Sequence, residues 1–371
     1  MKKMFVAASL ICLMLSSAVY AEDTVKIGLM GPMTGAWASE GQEMKQVLDL
    51  LTEEMNAAGG LLGKKIELIS DDDGGDPKTA SLAAQRLSTK GVLAVIGTYG
   101  SSVTEATQNI YDEAGIIQVA NGSTAVRLSE KKLKYFFRTC PRDDEQGRVA
   151  AQTIQKLGFK KVAILHDNTT YSKGLADEAK PLMEKGGISI VFYDALTPGE
   201  RDYNAILTKL KAADPEAVFF TGYYPEAGLL LRQKKEMGWG VPFVGGDAIN
   251  NPDLVKIAGK DSAEGFYFVS SPLPKDLPEA AAFLESFKKK YGNAPNSIYS
   301  VLAGDGFRVV MEAVKAAGAA DAQKAADYLH TKLKDFPGLT GKLSFNEKGD
   351  RVGDVYRVYK VDAEGNFILQ P

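Results

Sequence analysis

The chain has 371 residues, of which 45% are hydrophobic and 25% charged, with a formal net charge of −3. That length supports two domains with substantial cores, and the composition argues for an ordinary soluble protein. The slight acidic balance leaves no broad basic surface, so no nucleic-acid partner is expected.

Lys2 and Lys3 open the chain, and residues 5–15 form an apolar run too short to span a bilayer. Val19 and Ala21 then occupy the cleavage positions. The pattern predicts a secretory signal peptide over residues 1–21, cut after Ala21, against the alternative of a retained membrane anchor. Cys12 lies inside the apolar run behind Ile11, a poor fit to a lipidation site. Cys140 is the sole cysteine beyond the leader, so a cleaved chain has no internal disulfide, and a buried thiol is expected there. No other segment reads as a membrane span, so a soluble mature protein is expected.

Strand-like and helix-like patterns alternate from residue 25 onward. Residues 25–29 are a short apolar run. Met44, Val47, Leu48, Leu51 and Met55 recur at helical spacing until Gly59-Gly60 stops the helix. Residues 65–69 read as a strand and 77–87 as a helix opened by Pro77. The apolar run 92–96 leads into Gly97-Thr98-Tyr99-Gly100-Ser101-Ser102-Val103-Thr104 and a helix over 103–114. Unpaired backbone N–H groups and the Ser101 and Ser102 hydroxyls thus gather at a helix N-terminus, which stabilises an anion. A second small polar turn, Ala120-Asn121-Gly122-Ser123-Thr124, follows a strand over 116–119. Two such turns after adjacent parallel strands lie side by side at the carboxyl edge, where open α/β sheets bind ligands. Residues 136–138 are a short extended piece.

The pattern restarts with a helix over 143–157 and a buried strand over 162–165. Helix 171–183, strand 188–193, helix 203–212, strand 217–220 and helix 225–237 follow. Residues 241–244 and 265–269 close the set as strands. Strands alternating with helices imply an α/β fold whose parallel sheets are covered on both faces. Two such series imply two lobes, although the halves share no repeat in sequence. After Pro272 and Pro274, helical patterns fill 278–334 with no strand series of their own. They are expected to return to the first lobe, which makes both lobes discontinuous. Short strands at 342–345, 355–359 and 367–369, separated by polar turns, form the tail.

Signatures of other classes are incomplete. Gly59-Gly60-Leu61-Leu62-Gly63-Lys64-Lys65 has glycines too close for a phosphate loop and no Ser or Thr after the lysine. There is no Gly-x-Ser-x-Gly elbow and no Gly-x-Gly-x-x-Gly after the first strand. Two histidines and one cysteine beyond the leader make no zinc cluster. Asp71-Asp72-Asp73 reads as the acidic end of a strand at a solvated loop rather than a Ca²⁺ site. No metal and no cofactor are expected. His166 ends a buried strand and is expected to be structural, while His330 gives no signal. The enzymatic alternative is an exported α/β hydrolase with Ser101 or Thr124 as nucleophile, and it lacks a convincing base.

Several stretches, in this order and spacing, carry a family resemblance. They are Val25-Lys26-Ile27-Gly28-Leu29-Met30-Gly31-Pro32-Met33-Thr34-Gly35, Asn56-Ala57-Ala58-Gly59-Gly60-Leu61-Leu62-Gly63, Asp71-Asp72-Asp73-Gly74-Gly75-Asp76-Pro77-Lys78, and Val95-Ile96-Gly97 followed by Ser101-Ser102. Gln146-Gly147, His166-Asp167, Gly222-Tyr223-Tyr224-Pro225-Glu226 and Glu264-Gly265 come later. Over essentially the whole chain beyond the leader, the sequence resembles the type I periplasmic solute-binding proteins of ABC importers. Within them it is similar to the leucine/isoleucine/valine-binding, or branched-chain amino acid, branch. The resemblance implies two Rossmann-like lobes with parallel sheets joined by a three-stranded hinge, a Venus-flytrap that closes on a free amino acid. It implies a monomer in the periplasm that delivers its ligand to an ABC permease in the inner membrane without catalysis. The implied crossings lie near Cys140-Pro141, near Ser270-Ser271-Pro272 and near residues 349–352. Residues 22–141 plus 271–350 are then lobe 1, and 142–270 plus 351–371 lobe 2. A periplasmic sensor presenting its ligand to a receptor is the other non-catalytic reading.

A free amino acid is a zwitterion, and in a dry cleft each charge needs a partner. Carried over position by position, the resemblance assigns the Ser101 hydroxyl and the N–H groups of Ser101 and Thr124 to the carboxylate. It assigns the Gly122 carbonyl and the Thr124 hydroxyl to the ammonium. Tyr171 and Tyr223 match second-lobe aromatics that close over the ligand. Asp247 stands where the branch usually has glutamate and is the expected counter-charge to the ammonium. The plainer readings are helix caps for Ser101, Thr124 and Asp247, and packing for the tyrosines. Ser123, Tyr99 and Trp37 complete the candidate ligand-binding set, with Tyr299 and Glu40 nearby. By family position Tyr99 replaces an aliphatic residue and Glu40 one that is often aromatic. Gly75 and Gly100 stand where close relatives can carry a disulfide. A Trp/Tyr-lined pocket suits a branched-chain or other hydrophobic side chain, whereas an inward-facing Glu40 favours a polar one.

Overall fold

The computed structural model describes residues 24–353 and 355–371. The expected signal peptide and its cut after Ala21 lie outside the described residues.

The first series comprises β1 (Val25–Gly31), α1 (Ala38–Ala57), β2 (Ile66–Asp72), α2 (Pro77–Ser88), β3 (Ala94–Ile96), α3 (Ser101–Glu113), β4 (Ile117–Ala120), α4 (Arg127–Glu130) and β5 (Phe136–Arg138). Its strands form one sheet, ordered β2-β1-β3-β4-β5 and parallel throughout. β3 and β4 bury every side chain, which is why they read as unbroken apolar runs rather than alternating ones.

The second series comprises α5 (Asp143–Lys156), β6 (Lys161–His166), α6 (Thr170–Lys185), β7 (Ser189–Ala195), α7 (Asn204–Ala212), β8 (Ala217–Phe220), α8 (Tyr224–Glu236), β9 (Phe243–Gly245), α9 (Asp253–Ala258), α10 (Lys260–Ala263) and β10 (Tyr267–Ser270). Then come α11 (Ala281–Tyr291), α12 (Ile298–Ala317), α13 (Ala322–Thr331), β11 (Phe336–Gly338), β12 (Gly341–Leu343), β13 (Arg357–Val361) and β14 (Phe367–Leu369). The second sheet runs β14-β13-β10-β9-β8-β6-β7. It is parallel from β10 to β7 and antiparallel at the β13 and β14 edge. The fold is α/β with two Rossmann-like lobes. Their parallel strands share one order, β2-β1-β3-β4-β5 and β7-β6-β8-β9-β10, so the repeat lies in topology although none is visible in sequence.

α12 is buried on nearly all sides and packs against α1, β3 and β4. The chain passes between the sheets after β5, after β10, and between β12 and β13. The first and third passages lie side by side: Arg138 bridges to Asp350 in parallel, and the Arg138 N–H donates to the Gly349 carbonyl at 3.0 Å. Gly349 has φ +77°, and a Cβ there would sit 2.1 Å from the Phe136 carbonyl oxygen, so only glycine fits. Arg138 is fully buried and donates to Asp350 Oδ1 at 2.6 Å, and Arg142 donates to Asp350 Oδ2 at 2.9 Å. Burial pushes the Asp350 carboxyl up, but the two arginines outweigh it and hold it below its ordinary value. Arg138 also donates to the Ser123 and Ala125 carbonyls at 3.0 and 2.9 Å, so the passage between sheets fixes the turn that carries Thr124.

The acidic run after β2 departs from the solvated loop expected there. Asp72 accepts from the Met33 and Gly74 N–H groups, both at 2.8 Å, and so shapes the loop after β1. Asp73 is 1% exposed, and burial pushes its carboxyl up to about 7, so this loop is not solvated at that residue.

Candidate ligand-binding site between the lobes

In each lobe the first strand of the series has neighbours on both sides: β1 lies between β2 and β3, and β6 between β7 and β8. Chain connections diverge there and leave a crevice outside the carboxyl ends of the strands. The segments after β1 and β3 carry Trp37 and Tyr99, and those after β6 and β8 carry Tyr171 and Tyr223. These rings meet. Ring centroids are 4.2 Å apart for Trp37 and Tyr223, 5.5 Å for Trp37 and Tyr99, and 5.2 Å for Tyr171 and Tyr223. Tyr299, at the start of α12, joins Tyr99 at 4.9 Å. The two crevices therefore face each other across a shared aromatic cluster, and the lobes are closed.

Trp37 fits because its neighbours lack side chains. A Cβ on Gly75 would lie 2.7 Å from Trp37 Cε3, and one on Gly100 3.0 Å from Cζ3. The indole occupies the space between these two glycines.

Ser101 is the first residue of α3, with Gly100 as its N-cap, so Ser101 does not cap that helix. Its Oγ accepts from the Ala125 N–H at 3.2 Å, which leaves the hydroxyl proton available to another acceptor. Thr124 Oγ1 is buried without a hydrogen-bond partner. Ser123 behaves differently from the others. Its hydroxyl lies 2.7 Å from Thr104 Oγ1 and donates to the Thr98 carbonyl at 3.0 Å, so it ties the two turns together and offers no free hydroxyl to the cleft. Gly122 lies under the rings, where a Cβ would be 2.8 Å from Tyr99 Cδ2 and 3.1 Å from Tyr299 Cδ1.

On the opposite wall, Asp247 opens a 3₁₀ turn whose N-cap is Gly246, with no side-chain capping bond, so Asp247 is not a cap. It is 3% exposed. Its N–H donates to Gln146 Oε1 at 2.9 Å, and the Ala248 N–H donates to the Tyr171 hydroxyl at 3.3 Å. Burial pushes the Asp247 carboxyl up to about 6, against hydrogen bonding from Tyr171, Gln146 and Tyr299.

A family model described as periplasmic binding protein matches residues 24–366. The chain belongs to the periplasmic binding protein family. It is 37% identical to an amino acid binding protein of Pseudomonas aeruginosa over 100% of both chains. It is 35% identical to the leucine-, isoleucine-, valine-, threonine-, and alanine-binding protein of the same species, over 92% of this chain and 90% of that one. Its structure is similar to that of the branched-chain amino acid transporter substrate binding protein LivJ from Streptococcus pneumoniae in complex with isoleucine. That match has a TM-score of 0.85 and 31% identity, and covers 94% of this chain and 99% of the other.

Two residues beside the candidate site of this periplasmic binding protein were not singled out by sequence reasoning. Asp143 and Gln146 come from the first turn of α5 and are fully buried beside Asp247. Gln146 Nε2 donates to Asp143 Oδ1 at 3.2 Å and to the Tyr356 hydroxyl at 2.9 Å. Burial, with the Asp247 charge next, drives the Asp143 carboxyl well above its ordinary range. Thr124 opposes that rise, yet neither Asp143 Oδ2 nor Thr124 Oγ1 has a hydrogen bond of proper geometry. The signal for Gln146 was present in the Gln146-Gly147 pair. Asp143 was hidden in an acidic run that reads as a complement to the helix dipole.

Direct hydrogen bonds flank the rings on both sides. On one, Asn251 Nδ2 donates to Glu40 Oε1 at 2.7 Å, and the Tyr224 hydroxyl donates to the Ala36 carbonyl at 2.9 Å. Glu40 also accepts from Ser297 Oγ, so its carboxylate is engaged at the lobe boundary, and burial pushes it up to about 8. On the other, the Thr170 N–H donates to Ser102 Oγ at 2.9 Å and its hydroxyl to Glu105 Oε2 at 2.8 Å. His166 accepts from the Asn168 N–H through Nδ1 at 3.2 Å and its ring packs against Tyr193. Burial pushes the Cys140 thiol up to about 12, which leaves it inert at neutral pH.

Proposed function

We propose that this protein is the extracytoplasmic substrate-binding component of an ABC importer. It captures a free L-amino acid of the aliphatic, branched-chain class between its lobes and passes it unchanged to a permease in the inner membrane. The observation that carries this reading is the opposite polarity of the two cleft walls. One wall is the N-terminus of α3 with Ser101 and the Thr124 turn; the other holds the buried carboxyls of Asp143 and Asp247. Helix N-termini attract anions, and paired buried acids attract a cation. A zwitterion answers both.

In this reading Ser101 and the N–H groups of Ser101 and Thr124 hold the carboxylate. The Gly122 carbonyl, Thr124 Oγ1 and Asp247 hold the ammonium. Trp37, Tyr99, Tyr171 and Tyr223 surround the side chain, and Ser123 positions the two turns. The lobes divide at residues 141, 270 and 350 and move about the Arg138–Asp350 pair. Ligand stabilises the closed form only through contacts that the open form lacks, and those are the second-lobe contacts. The chain acts as a monomer in the periplasm after removal of residues 1–21, and it catalyses nothing.

Incubation with radiolabelled valine, followed by recovery of the bound label, tests this. One equivalent of unchanged valine is expected. Recovery of a modified product overturns the reading in favour of an enzyme.

A further inference from the structure

We infer that Thr170 is a latch across the lobe boundary: held by Glu105 and Arg127, it sets how long the cleft keeps its ligand without touching that ligand. The inference rests on the amino acid reading above and adds a residue that positions the lobes.

Glu105 lies in α3 and Arg127 opens α4, both in the first series. They form an ion pair within one lobe, and both stay partly exposed. Thr170 is the first residue of α6, in the second series, and is buried. Its hydroxyl enters the pair from across the boundary. It accepts from Arg127 Nη2 at 2.8 Å and donates to Glu105 Oε2 at 2.8 Å. A hydroxyl donates and accepts through one atom, so it serves both members of the pair at once. Burial pushes the Glu105 carboxyl up, but the hydrogen bonds from Arg127 and Thr170 outweigh it and hold it below its ordinary value, so the acceptor is charged at neutral pH. The Thr170 N–H donates to Ser102 Oγ at 2.9 Å, a backbone bond across the same seam. One turn along α6, a Cβ on Gly174 would lie 4.0 Å from Ala125 Cβ, an ordinary contact, so the start of this helix is seated against the turn that carries Thr124.

Two features separate a latch from a merely structural residue. Glu105 and Arg127 share a lobe, so their pair survives opening, and only the bonds to Thr170 are lost. Helix α6 does not need the Thr170 hydroxyl, because Thr169 is its N-cap and accepts from the Ser172 N–H at 3.2 Å. The next residue, Tyr171, joins the aromatic cluster, so the latch holds the helix start that brings that ring over the cleft. Bonds made only in the closed form stabilise that form alone, and they slow release rather than capture.

Thr170→Val keeps the shape and the backbone bond to Ser102 and removes both hydroxyl bonds. The test follows release of radiolabelled L-valine into excess unlabelled valine, and association by stopped-flow tryptophan fluorescence. Release should be about tenfold faster in Thr170→Val, the low end for a hydrogen bond to a charged group because the pair is partly solvated, with association within about twofold of the wild type. Thr170→Ser restores the hydroxyl and should return release to within about twofold of the wild type. In a Glu105→Ala background, Thr170→Val should add less than about threefold, since residues that act through one another are not additive. Release at the wild-type rate in Thr170→Val, no rescue by Thr170→Ser, or an undiminished effect in the Glu105→Ala background overturns the latch and leaves the amino acid reading intact. A wild type that retains no valine overturns both.

Discussion

Glu40 is the most exacting place to test the closed arrangement. Its carboxyl joins Ser297 of its own lobe to Asn251 of the other and is wholly buried. Burial lifts its ionisation from an ordinary 4.5 to about 8. When the lobes open or the chain unfolds, water reaches the group and the ordinary value returns. The folded, closed form therefore binds more protons between those two values. Stability is fully present below about pH 4.5 and is lost as pH rises towards about 8. Each tenfold change in proton affinity is worth about 1.36 kcal/mol, so the full span sets a ceiling of roughly 5 kcal/mol. Glu40→Gln replaces the protonated acid with a neutral group of similar shape that still pairs with Ser297 and Asn251. Scanning calorimetry at pH 5 and pH 8 should show the wild type losing several degrees more in Tm than Glu40→Gln, at roughly 2 °C per kcal/mol for a chain of this size. Other buried acids, among them Asp73, Asp143, Asp247 and Asp305, are present in both proteins and cancel in the comparison. Parallel Tm profiles would refute the reasoning, because they would mean that Glu40 ionises alike in both states.

Asp247→Asn removes the proposed counter-charge but keeps the backbone bond to Gln146. Amino acid binding should weaken about 10- to 100-fold, the range for one charge-assisted hydrogen bond, with little change in Tm; an unaltered Kd contradicts the assigned role. Arg138→Met leaves Asp350 buried with Arg142 alone. Urea unfolding should show a loss of about 3 kcal/mol, and a loss under about 1 kcal/mol would mean that the buried pair does not hold the passage between lobes.

Much of the fold was legible because the parallel strands are buried on both faces. β3 and β4 appear as bare apolar runs, and each is followed by a turn of small polar residues. Boundaries were less legible. The apolar run 241–244 predicts a strand, but β9 starts at Phe243, since Pro242 lacks an N–H and serves only through its carbonyl, which accepts from Val218. Helix α3 starts at Ser101 rather than at 103, which moves Ser101 from a capping position into the first turn. The candidate site residues were legible one by one, and the resemblance implied that they converge. Strand order, which sequence does not show, puts the segments after β1 and β3 together in one lobe and those after β6 and β8 together in the other, and the ring contacts join the two. Asp143 was illegible for another reason: one residue of an acidic helix start turns inward while Asp144 and Glu145 beside it stay accessible. Likewise the engagement of Glu40 at the lobe boundary depends on Asn251, 211 residues away.

Comparing L-valine with 3-methylbutanoate, the same molecule without its ammonium, is the most direct test of the account. Titration calorimetry at pH 7 should give one tight site for valine and binding at least about 100-fold weaker for the acid, because the acid leaves the buried carboxyls of the second lobe without a counter-charge. Equal affinity for the two would contradict a cleft built to hold both charges of an amino acid.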